Sequence, residues 1–90
     1  MPVITVTGGA GHTYRVTVEE GDATTVHDVT VSPEDVRRYA PGATAERLVH
    51  ASFEFLLARE SKESILRRFE LPVIERYFPD YARIIRQSTD

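Results

Sequence analysis

Apolar and polar residues alternate through the first third of the chain and change rhythm at Ser32-Pro33. Before that point Tyr14, Val16 and Val18 stand between Thr13, Arg15, Thr17 and Glu19. After it the apolar positions recur in threes and fours, as in Leu48, Val49, Phe53, Phe55 and Leu56. A period of two marks a half-buried strand and a period near 3.6 an amphipathic helix. The pattern predicts an α+β fold: a three-stranded antiparallel β-meander followed by four to five helices packed on one of its faces.

Strands are expected at residues 3–7, 13–19 and 24–31. The connection Glu20-Gly21-Asp22-Ala23 fits a two-residue hairpin with Gly21 and Asp22 at its tip. That turn places Val16 opposite His27, Tyr14 opposite Val29 and His12 opposite Val31, with Arg15 facing Asp28 on the other side. The glycine-rich loop Gly8-Gly9-Ala10-Gly11 is expected to pair Ile4 with Val16 and Val6 with Tyr14. Both turns then put the bulky apolar residues on one face and a threonine-rich set on the other, including Thr5, Thr7, Thr13, Thr17, Thr24 and Thr30. A solvated strand face suits threonine. Both outer strands of such a meander leave open edges, and only Pro2 guards the first.

Ser32 is a good N-cap with Pro33 at the first helical position, and Glu34 and Asp35 favour the positive end of the dipole. Pro41-Gly42 should end that short helix. Thr44 caps the next, expected over residues 45–60 and lying across the apolar sheet face. Further helices are expected over residues 62–69, 72–78 and from Asp80 onward, with Leu71-Pro72 and Pro79 as breaks. Expected buried residues in this third are Ile65, Leu66, Phe69, Val73, Ile74, Tyr77 and Phe78. The last segment is expected to anchor through Tyr81, Ile84 and Ile85, and residues beyond Gln87 to fray.

Ninety residues make one domain: a meander over 1–31, a helical layer over 32–87 and a tail at 88–90. The 41% apolar content suffices for a small core. With no cysteine, neither a disulfide nor a thiolate site is available. No stretch approaches the length of a membrane span and the N-terminus lacks a signal pattern, so a cytoplasmic location is expected. The net charge of −3 resolves into −3 over residues 1–31, −1 over 32–60 and +1 over 61–90. That acidic balance weakens the case for a phosphate-backbone partner.

Candidate chemistry is sparse. The loop Gly8-Gly9-Ala10-Gly11 lacks the lysine and following helix of a phosphate loop. His12, His27 and His50 have no metal-ligand spacing, and His27 is expected in the core or at its rim. No serine has a hydrolase elbow and no carboxylate pair is singled out. No catalytic constellation, metal site or cofactor is therefore expected. Residues 64–78 superficially match a helix-turn-helix bearing Arg67, Arg68 and Arg76, the alternative nucleic-acid reading. Against it, the turn lacks glycine and the second helix offers few polar side chains. The leading reading is a non-catalytic interaction or regulatory module. Its candidate partner-binding residues are Arg76, Tyr77, Tyr81 and Arg83, types enriched at interfaces, beside Phe78 and Arg86. Self-association through an edge strand or the C-terminal helices is a further expectation.

The runs Ala51-Ser52-Phe53-Glu54-Phe55-Leu56-Leu57, Glu63-Ser64-Ile65-Leu66-Arg67-Arg68-Phe69 and Arg76-Tyr77-Phe78-Pro79 resemble small uncharacterised bacterial proteins of about this length. The resemblance implies a bacterial source and a compact α+β domain. It carries no activity and assigns no site.

Overall fold

The computed structural model describes residues 2–89. Three strands open the chain as expected: β1 (Val3–Gly8), β2 (Thr13–Glu20) and β3 (Ala23–Thr30). Between β2 and β3 the register is the expected one, with Val16 opposite His27, Tyr14 opposite Val29 and Arg15 opposite Asp28. Gly21 takes φ +61° while Asp22 stays at negative φ, the signature of a type II′ turn with glycine first.

Strand β1 is displaced from its expected partners. Ile4 faces Val18 and Val6 faces Val16, with Gly8 reaching Tyr14. The first turn is centred one residue later than expected, on Gly11 with φ +64°, and the Gly9 amide closes it on the Thr13 carbonyl at 2.8 Å. Moving the turn centre by one residue moves each partner by two, so the faces stay the same. Val16, Val18 and Val29 are fully buried on the inner face, and Ile4, Val6 and Tyr14 are half-buried there.

Helix α1 (Pro33–Tyr39) begins at Ser32, whose hydroxyl accepts from the Asp35 amide while Asp35 accepts from the Ser32 amide. This reciprocal pair is a capping box in which aspartate does the usual work of glutamate. Helix α2 (Ala45–Leu57) starts at Thr44, which accepts from the Arg47 amide. It ends three residues short of the expected Glu60. Its apolar side lies under the sheet, where the Phe53 ring is fully buried between His27 (5.2 Å between centroids) and Phe69 (6.2 Å).

The expected helix over residues 62–69 is absent. Lys62–Ser64 forms one 3₁₀ turn, and Arg68–Glu70 is a fourth strand, β4, parallel to β3. The sheet is therefore four-stranded and mixed, in the order β1-β2-β3-β4. The Asp28 amide bonds the Arg67 carbonyl at 2.8 Å and the Leu71 amide bonds the Thr30 carbonyl at 3.0 Å. Those β3 groups would have been an open edge in a three-stranded meander, and satisfying them outweighs the marginal propensity of a short isolated helix. Phe69 and Leu71 alternate inward about the exposed Glu70, which a strand allows and a helix does not.

Two helices complete the fold, α3 (Val73–Tyr77) and α4 (Tyr81–Thr89). The segment 64–78 thus contains an edge strand and one short helix, and it has no helix-turn-helix geometry. Helix α4 continues past Gln87, where fraying was expected. Thr89 is buried and its hydroxyl donates to the Ile85 carbonyl at 2.9 Å. Asp90 lies outside the described residues.

Candidate interaction site

The four residues expected to form a partner surface do not come together. Tyr81 is fully buried. Its hydroxyl donates to Ser52 Oγ at 2.6 Å, and the Ser52 hydroxyl in turn donates to the Leu48 carbonyl at 2.7 Å. The Tyr81 ring packs on Tyr39 at 5.1 Å and edge-on against Phe55 at 5.3 Å. Tyr81 therefore joins α2 to α4 inside the core, and burial drives its pKa up. Tyr39 is pushed up to about 12, first by burial and then by its hydrogen bond to Glu75, at 2.8 Å.

Arg83 lies exposed on α4, 3.8 Å from Asp80. Arg86, named beside that set, donates through Nε and a terminal nitrogen to the Arg38 carbonyl at 3.0 and 2.8 Å. That contact places a cation at the negative end of α1. Arg76 is exposed on α3. Tyr77, which the helical reading also placed among the buried residues, is 68% exposed and is the one member of the four that matches an exposed apolar anchor.

What Tyr77 meets was not foreseen. It stands at the mouth of a groove of about 210 Å³ between the end of α2, the 64–66 turn, β4 and α3. Leu56, Ile65, Phe69, Val73, Ile74 and Phe78 make the apolar lining, with Glu60 and Ser64 as polar rim. Leu66, also lining the groove, is 48% exposed although the helical reading buried it. The strand explains this reversal. Because β4 runs alongside β3, the chain approaches it in extended form and Leu66 turns outward, while Ile65 stays 3% exposed.

His27 fixes that approach from inside the core. Its Nδ1 lies 2.8 Å from the Leu66 carbonyl, which can only accept, so Nδ1 carries the proton. Nε2 then accepts from the Thr25 hydroxyl at 2.9 Å. Burial is the main cause that lowers the His27 pKa and Arg67 adds to it; the Leu66 hydrogen bond and Asp28 act the other way. His12 is exposed in the first turn, and His50 is exposed with Nδ1 3.4 Å from Glu54. Among the described residues no cluster of three or more metal-ligating side chains occurs.

The arginines of the nucleic-acid reading are separated. Arg67 and Arg68 belong to the β4 approach and strand, and Arg68 is 3.9 Å from Asp28 on the outer sheet face. Arg76 sits on α3. Among the described residues no helix is long and apolar enough to cross a membrane. No protein-family model, curated protein or solved structure matches the chain, so the functional reading rests on its own geometry.

Proposed function

We propose that this chain is a non-catalytic protein-interaction module, and that its docking surface is the groove between the end of α2 and α3. One observation carries the reading: two large apolar side chains, Leu66 and Tyr77, stand exposed at the mouth of an apolar-lined groove. Scattered exposed leucines need no explanation, but a pair converging on a concave apolar surface has the form of an interface core. The partner fitting it is a short apolar segment of another protein, with Tyr77 as a rigid anchor and the groove-side carboxylate of Glu60 available to a basic flank.

A photoreactive phenylalanine analogue at position 77 tests this in the native cell, with the same analogue at Thr17 on the outer sheet face as control. Expected is a discrete adduct from position 77, absent from position 17 and lost when Leu66→Asp is added. The exposed Leu66 side chain makes that substitution mild for folding, within about 0.5 kcal/mol. Identical adducts from both positions, or an adduct that survives Leu66→Asp, overturn the proposal.

A further inference from the structure

The far edge of the sheet carries a separate inference, independent of the groove. We propose that β1 is a self-association edge, through which two copies pair β1 to β1, antiparallel, about a twofold axis at Thr5. The Gly9 amide bonds Thr13, and bonded pairs in an antiparallel ladder recur at every second residue. Val3, Thr5 and Thr7 therefore direct their backbone groups to β2, and Ile4, Val6 and Gly8 direct theirs outward. Among the described residues β1 pairs with β2 alone. Unpaired strand groups of this kind select another strand as their complement.

The sequence of the strand makes a second copy the fitting occupant. In a twofold contact each residue meets the same strand reversed, so any charge would meet its own kind close to the axis. Val3–Gly8 contains no charged residue. With the axis at Thr5, Ile4 of one copy faces Val6 of the other and they exchange their outward amides and carbonyls. Thr5 faces Thr5, and Val3 faces Thr7. Part of the uncovered apolar surface lies where this contact would cover it. Val3 is 57% exposed and Ile4 and Val6 are only half-buried, whereas Val16 and Val18 on the next strand are fully buried. An edge of six residues is small beside standard interfaces, which bury roughly 1,200–2,000 Å². The dimer is therefore expected to dissociate in the micromolar range or above.

Sedimentation equilibrium of the full chain from about 1 μM to about 1 mM reads the association directly. The wild type should move from monomer to dimer across that range. Thr5→Lys and Thr5→Glu each bring like charges together at the axis and should weaken the dimer at least about tenfold. An equimolar mixture of the two should restore it, and Thr24→Lys, on exposed Thr24 at the hairpin end of β3, should change nothing. Amide exchange at Ile4 and Val6 in the wild type gives a readout that needs no variant: protection should rise with concentration. A monomer throughout, a dimer indifferent to charge at position 5, or one lost in Leu66→Asp instead would overturn the proposal.

Discussion

The two edges of this sheet are finished in opposite ways. At β4 the edge is three residues long, flanks its single buried phenylalanine with Arg68 and Glu70, and is held by His27 and the helical layer. At β1 it is six residues long, uncharged and only partly covered. A short charged strand resists pairing with a neighbour, whereas a long neutral one invites it. The β4 edge instead presents side chains, through the groove beside it. One sheet can thus offer two kinds of surface: a main chain for a strand at one edge, and a concave apolar patch at the other.

The sharpest way to break the comparison is to empty the closed edge. Phe69 is nearly buried against Phe53, and Phe69→Ala should cost about 3–5 kcal/mol by urea denaturation. A loss below about 1 kcal/mol would show that β4 is not packed into the core. Phe53→Ala, which removes the ring touching both His27 and Phe69, should lose a similar amount.

Acid should loosen the same edge next. The unfolded chain takes up a proton on His27 near pH 6.5, while the folded chain resists it. The unfolded state then binds more protons, so the stability this residue confers is complete above about pH 6.5. It is lost as pH falls toward the lowered folded value, with a slope of at most about 1.4 kcal/mol per pH unit. Denaturation between pH 7 and 5 should show that slope in the wild type and a shallower one in His27→Gln. Equal slopes would remove His27 from the account.

A smaller effect is expected at Tyr81→Phe, about 1 kcal/mol, because one buried hydrogen bond goes while the Ser52 hydroxyl keeps Leu48 as its acceptor. A much larger loss would mean that the hydroxyl organises the α2–α4 packing as well as satisfying it. Smallest of all, Val3→Lys on the open edge should change monomer stability by no more than about 0.5 kcal/mol. Its failure to do so would mean that the β1 edge is already covered within the monomer.

The same contrast separates what was legible in the chain from what was not. The β2–β3 hairpin with its register, the inward face of Val16, Val18 and Val29, and the caps Ser32 and Thr44 could be read locally, since each depends on neighbours within one turn or one strand pair. The first hairpin was legible as a turn with the right faces, but its glycine-rich loop left the pairing of β1 two residues off. Around Phe69 the local signal failed. Ile65, Leu66 and Phe69 have helical spacing, while only the short alternation Phe69-Glu70-Leu71 before Pro72 pointed to a strand. In the candidate site, Tyr77 and Tyr81 were each read two ways, as packing residues of their helices and as partner residues. Tyr77 proves exposed and Tyr81 buried against Ser52, and neither outcome could be chosen from neighbours in the chain. Leu66 was expected buried, and its exposure follows from β4.

Sequence by itself determined the three meander strands, their oily side and the points where α1 and α2 begin. Side-chain alternation, positive-φ glycines and capping hydroxyls all act over a few residues. Tertiary structure alone decided that a fourth strand closes one edge, and that Leu66 and Tyr77 emerge together at a groove while Tyr81 disappears. Those outcomes depend on partners far apart in the chain, such as His27 and Leu66 at a separation of 39 residues. At that distance the open hydrogen-bonding groups of β3 and the space left beneath α2 dictate conformation, and neither is written in the residues that respond to them.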